Sequence, residues 1–139
     1  MCGFSGFLNF NPNWGDPLTL LQQMGDQLTH RGPDDSGVWF DNNCGVGLSH
    51  RRLSIIDLSA QGHQPMSSTS GRFVIAYNGE IYNHQELKKQ LLQAGVIFRG
   101  GSDTEVLLAA IESWGIKQTL QRCIGMFAFS LWDKKEQTL

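Results

Sequence analysis

The chain has 139 residues, enough for one domain with a real core. Its 40% hydrophobic and 17% charged content is that of an ordinary globular protein, and a formal net charge of −2 leaves no electrostatic footprint for nucleic acid or an anionic membrane. No apolar run is long enough to span a bilayer, and the first residues lack the basic and apolar regions of a secretory signal.

In chain order, residues 3–10 read as a strand rich in Phe and Gly. Asp16 followed by Pro17 opens a helix, an N-cap with proline at the first helical position, and Leu21, Met24 and Leu28 form its apolar face. Residues 30–37 break that helix and run as an extended loop. Residues 38–40 and 46–48 are the two strands of a hairpin around Asp41, Asn42 and Asn43. Residues 73–77 are nearly continuously apolar, as expected of a strand buried on both faces. Asn83 with Glu86 resembles a capping box, followed by Leu87, Leu91 and Ala94 on one face and Gly95 as the stop. Ser102 with Glu105 is a second capping box, ahead of Val106, Leu107, Ala110, Ile111 and Trp114, then Gly115. Residues 126–132 read as another buried strand and 133–136 as a polar turn, with a returning strand expected to start at Thr138. This order fits sheets flanked by helices on both outer faces, and an end inside a hairpin points to an incomplete domain.

The chemistry starts at Cys2. Removal of Met1 would leave a thiol and a free α-amine on one residue, and an amine with a reference pKa of roughly 7.7–8.0 can serve as base for its own side chain. Cys2, Cys44 and Cys123 have no paired spacing, which argues against a disulfide framework and for a reducing compartment, the cytoplasm. The four histidines show no ligand spacing with cysteines or carboxylates, so no metal site is expected.

Three further positions carry two readings each. Asn78-Gly79 is either a strand-to-helix turn or a two-donor oxyanion hole, the Asn amide beside a glycine N–H that no Cβ shields. Arg52, beside Arg51 at the end of a predicted strand, is either a solvated charge or a bidentate receptor for a carboxylate. Asp103, at the start of a predicted helix, is either a local cap or the partner of an ammonium group. A carboxylate grip and an ammonium grip together describe a site for an amino acid. The rigid turn Arg31-Gly32-Pro33-Asp34 has no direct chemical role and reads as structural.

The motifs fall together. Met-Cys-Gly at 1–3, His-Arg-Gly-Pro-Asp at 30–34, Arg-Leu-Ser-Ile-Ile-Asp at 52–57, Gln-Pro-Met at 64–66, Tyr-Asn-Gly-Glu-Ile-Tyr-Asn at 77–83, Gly-Ser-Asp-Thr-Glu at 101–105 and Gly-Met-Phe-Ala-Phe at 125–129 cover nearly the whole chain. Their order resembles the N-terminal glutaminase domain of the class II glutamine amidotransferases, which are N-terminal-nucleophile hydrolases. Within these the wording is most similar to glutamine-hydrolysing asparagine synthetases.

The resemblance implies an α+β fold, a four-layer αββα sandwich, with residues 1–139 as a partial glutaminase domain and no synthetase domain in this sequence. It implies Cys2 as nucleophile and Asn78 with the Gly79 N–H as oxyanion hole. Arg52 would hold the α-carboxylate of L-glutamine, Asp103 and Glu80 the α-ammonium side, and backbone groups near Leu53 and Ile55 the pocket wall. No cofactor is implied for glutamine hydrolysis; ATP and magnesium are implied only for a synthetase domain, which would take the ammonia and convert aspartate to asparagine. Partners are thus L-glutamine and a synthetase domain or subunit, with neither nucleic acid nor membrane, and a homodimer is left open. An amino-sugar or saccharide-precursor acceptor, and a truncated non-catalytic fragment, are the alternatives.

Overall fold

The expected hairpin forms and is longer than its apolar pattern suggests. In the computed structural model, which describes residues 2–54 and 60–139, β2 (Asp35–Asp41) pairs antiparallel with β3 (Val46–Arg52) from Asp35↔Arg52 to Asp41↔Val46. The start of the predicted 30–37 loop is therefore loop, and its end is strand. The other edge of β3 pairs with β1 (Gly3–Phe7), which places Gly3 opposite Arg51. The second sheet has the order β4 (Met66–Ser67), β5 (Phe73–Ile81), β6 (Gly125–Asp133), with β5 and β6 paired along their whole lengths.

Side-chain alternation along the two central strands builds the layers. Val46 and Leu48 of β3 pack against Val74 and Ala76 of β5 and Trp132 of β6, joining the sheets face to face. On its opposite face β3 meets α1 (Pro17–Asp26): Gly47 leaves room for Leu21, and Arg51 donates to the Gly25 carbonyl at 3.2 Å and pairs with Asp26. The opposite face of β5, through Phe73, Ile75, Tyr77 and Ile81, packs on Leu87 and Leu91 of α2 (His84–Gln93) and on Val106, Leu107, Ala110 and Ile111 of α3 (Asp103–Trp114). The chain is thus an α+β sandwich of four layers, α1, sheet, sheet, α2 with α3. The continuous apolar run of β5 is explained by its having a core on each side. Each fully buried Leu in this core, such as Leu91 or Leu107, contributes roughly 2 kcal/mol from burial.

The helix ends sort into confirmed and corrected readings. The Thr19 amide donates to Asp16 Oδ2 at 2.7 Å ahead of Pro17, as expected. Leu28 lies beyond the end of α1, whose buried face is Leu21 and Gly25. The Ser102 hydroxyl accepts from the Glu105 amide at 3.2 Å, but the Glu105 carboxylate accepts from the Arg99 and Gly100 amides instead of closing a box. Asn83 makes no side-chain cap at all. Its amide donates to the Arg122 carbonyl and its oxygen accepts from the Ile124 amide, both at 2.8 Å. Long-range donors and acceptors thus outcompete the local cap. One helix, α4 (Ile116–Arg122), is absent from the predicted elements; Thr119 is its one buried residue, so it leaves no apolar stripe to read. Thr138 forms an isolated antiparallel bridge with Asp133 where a returning strand is expected.

Candidate functional site

At one end of the sandwich, where β3 stops, β1 starts and α3 starts, a cavity of about 200 Å³ opens between the sheets. Cys2, Arg52, Leu53, Asn78, Gly79, Glu80 and Asp103 all line it. Ile55 lies outside the described residues.

Cys2 immediately precedes β1, so the pairing of Gly3 with Arg51 fixes it beside the end of β3. Its sulfur accepts from the Leu53 amide at 3.3 Å and lies 3.6 Å from the Leu53 carbonyl oxygen. Its own carbonyl accepts from Arg31 Nε at 3.1 Å. Arg31, in the turn read as structural, thereby braces the cysteine from behind. The same turn ties down the segment after β3, because Asp34 Oδ2 accepts from the Ser54 amide at 2.8 Å.

Arg52 is the last residue of β3 and is 8% exposed, which removes the solvated-surface reading. Its guanidinium lies directly under Gly62, in a 3-10 turn at Ala60–Gly62; any Cβ on Gly62 would overlap Nη2 and Cζ. Arg51, by contrast, belongs to the α1 side of the sheet. Strand alternation puts the two neighbouring arginines on opposite faces of the sheet.

Asn78 and Gly79 are not a strand-to-helix turn. They sit inside β5, paired with Ala128 and Phe127 of β6. Gly79 has φ +152°, and a Cβ there would overlap Phe127 Cα and the Met126 carbonyl, so only glycine fits. Asn78 points to the side of β5 shared with Val74 and Ala76, toward the other sheet and Cys2.

Asp103, the first residue of α3, is 6% exposed. Its Oδ2 accepts from the Tyr77 hydroxyl at 2.8 Å and from the Ile81 amide at 3.0 Å. Its role extends beyond capping its own helix, because both bonds come from β5. Burial, with the Asp103 carboxylate beside it, pushes the Tyr77 phenol above its ordinary value and keeps it protonated. Glu80 is exposed and meets the cavity from its outer rim.

The reading of individual side chains misses further cavity residues, among them Gly62, Gln64, Tyr77 and Thr104. Gln64, followed by a cis peptide bond to Pro65, is 5% exposed. Its Oε1 accepts from the Tyr77 amide at 2.7 Å and its Nε2 donates to Thr104 Oγ1 at 3.4 Å. From β3, His50 Nε2 donates to the Tyr77 carbonyl at 2.9 Å; burial holds its pKa down to about 4. A buried glutamine or histidine at these positions has no periodic signature. The one sequence signal was that Gln64, Tyr77 and Thr104 fall in the shared motifs.

The cavity therefore sets a thiol, backbone and amide donors, a guanidinium and two carboxylates around one small space. Such a set can hold a zwitterionic amino acid and attack its side-chain carbonyl.

A family model for the glutamine amidotransferase domain matches residues 1–139. The chain is 42% identical over 141 residues to asparagine synthetase [glutamine-hydrolyzing] 1 of Bacillus subtilis strain 168, with all of this chain and 22% of that protein covered. Asparagine synthetase [glutamine-hydrolyzing] 3 of the same organism is 38% identical at the same coverage. The chain thus spans about a fifth of the length of these relatives. Among solved structures, glutamine phosphoribosylpyrophosphate amidotransferase of B. subtilis, complexed with ADP and GMP, superposes with a TM-score of 0.66 over 82% of this chain and 32% of its own, at 24% identity. That likeness concerns the fold.

Proposed function

The chain belongs to the glutamine amidotransferase domain family, and from that premise we propose that its cavity hydrolyses L-glutamine to glutamate and ammonia with Cys2 as nucleophile. Once Met1 is removed, the Cys2 α-amine takes the thiol proton and the sulfur attacks the side-chain amide carbon of glutamine. The Asn78 amide and the Gly79 N–H hold the resulting oxyanion. The intermediate collapses as the protonated α-amine returns its proton to the leaving nitrogen, which departs as ammonia and leaves a γ-glutamyl thioester. Water, deprotonated by the same amine, then attacks the thioester; glutamate leaves and the thiol is restored.

Arg52 takes the α-carboxylate, Asp103 with Glu80 takes the α-ammonium, and the Leu53 backbone forms the pocket wall. The observation that carries this reading is the convergence of Cys2, Asn78, Gly79, Arg52 and Asp103 on one cavity from four separate elements. In this reading the hydrolysis needs no cofactor.

The ammonia passes to an acceptor domain or subunit, which would use ATP with magnesium to convert aspartate to asparagine; the names of the relatives support that acceptor. No group of three or more His, Cys, Asp or Glu side chains among the described residues is arranged for a metal ion. We place the protein in the cytoplasm on the strength of its three unpaired cysteines. No helix among the described residues is long and apolar enough to cross a membrane.

The test is glutamate release from glutamine by the purified chain, with intact mass spectrometry to establish the loss of Met1. Activity abolished by Cys2→Ala supports the reading. A folded, processed chain that releases no glutamate overturns it.

A further inference from the structure

We propose that Tyr77 is a positioning residue that gives the site its preference for a substrate carrying an α-ammonium group, acting through Asp103. The inference rests on the proposed role of Asp103 and deepens it. Its ground is that every polar group of Tyr77 is engaged and each bond leads to a different part of the site.

The hydroxyl donates to Asp103 Oδ2, the amide donates to Gln64 Oε1, and the carbonyl accepts from His50 Nε2. Gln64 continues to Thr104, the neighbour of Asp103, and His50 lies two residues before Arg52 on β3. The ring is 2% exposed and stacks on Phe127 at 6.2 Å between centroids, with 28° between planes. A phenol so enclosed can neither swing away nor ionise near neutral pH.

With the Ile81 amide, the hydroxyl supplies two donors to one carboxylate oxygen, Oδ2. Two donors on one oxygen fix the plane of the carboxylate and leave its other oxygen directed by that plane. An ammonium group has no preferred plane of its own, so the partner must supply the direction. With the hydroxyl deleted, Asp103 keeps one donor from β5, and its carboxylate regains torsional freedom. The guanidinium that would take the α-carboxylate is on the other sheet, so its grip is untouched. The predicted loss is therefore selective for the amine.

The experiment measures binding to the full chain in a Cys2→Ala background, which prevents turnover, with L-glutamine and with glutaramate, the same molecule lacking the α-amine. Tyr77→Phe is expected to weaken glutamine binding about tenfold, the scale of a hydrogen bond to a charged group, while leaving glutaramate unchanged. Tyr77→His keeps a ring N–H donor of shorter reach. It should give a smaller loss of the same selectivity, and it carries the test if Tyr77→Phe does not fold.

An equal loss with both ligands, or no loss with glutamine, overturns the proposal. Asp103→Asn measured on the same pair separates the two levels of the argument. If that variant loses glutamine selectively and the Tyr77 variants do not, Tyr77 is excluded and the reading of Asp103 stands. If Asp103→Asn shows no selectivity, or the parent binds neither ligand, the reading of the site falls and this proposal falls with it.

Discussion

Gly62 lies against the guanidinium of Arg52 so closely that the site has no room for a Cβ between them. The glycine backbone forms one wall of the slot that holds the arginine. Gly62→Ala should push the guanidinium out of register with a substrate carboxylate while leaving Cys2 and Asn78 in place. The expected result is a rise of about tenfold in KM for glutamine with kcat changed less than about twofold, the signature of lost uniform binding. Steady-state kinetics on the purified chain would show it, and a fall in kcat at unchanged KM would contradict it.

Asn78→Ala removes one of the two proposed oxyanion donors and leaves the Gly79 N–H. A single such donor is worth roughly 10²–10³ in kcat, with little effect on KM. Circular dichroism should show an unchanged fold, because Asn78 is only partly buried.

Gly79→Ala tests the backbone instead of the donor. The φ of +152° and the overlap with Phe127 Cα both oppose a side chain. Stability should fall by roughly 2 kcal/mol or more, read as a drop of roughly 8 °C in Tm. An alanine accepted without loss would mean that β5 and β6 separate more easily there than their pairing implies.

His50 predicts a pH dependence of stability. It is 1% exposed, and its Nε2 donates to the Tyr77 carbonyl, which leaves Nδ1 buried without a partner among the described residues. Burial is the main force lowering its pKa from 6.5 to about 4; Arg52 and His63 act in the same direction, while the Tyr77 carbonyl and Asp35 oppose them. The unfolded chain therefore binds a proton near pH 6.5 that the folded chain resists until about pH 4. The stability contributed by neutral His50 is complete above pH 6.5 and is lost as the pH falls toward 4, by about 3 kcal/mol in all. Urea denaturation between pH 7 and 4.5, wild type against His50→Gln, isolates that slope. Identical slopes in the two proteins would refute it.

How much of this was legible beforehand differs between residues for physical reasons. The strand from Phe73 and the helix from Asp103 announce themselves, because burial on two faces and a helix N-terminus each leave a compositional mark. Arg52 and Asp103 suggested the proposed amino-acid grip only together, since each alone has an ordinary structural reading. Asn78 and Gly79 looked like a turn because Asn-Gly usually is one; the partner strand that straightens them lies nearly fifty residues away. Asn83 illustrates the same limit, its side chain being drawn to Arg122 and Ile124 and away from its own helix. Gly62, Gln64 and His50 support the site through isolated buried contacts, and such contacts leave no periodicity in a sequence.

The cavity has one wall on each sheet: Arg52, with Cys2 and Leu53 next to the strand ends, on the first, and Asn78, Gly79 and Glu80 on the second. Whatever fills it becomes a strut across the seam of the sandwich. The packed residues behind that seam are few, chiefly Val46, Leu48, Val74, Ala76 and Trp132. Occupancy should therefore be felt as mechanical stiffening of the whole chain, with amide protons of β3 and β5 exchanging more slowly together. At a ligand concentration of about 100 Kd that coupling amounts to about 2.7 kcal/mol of added stability.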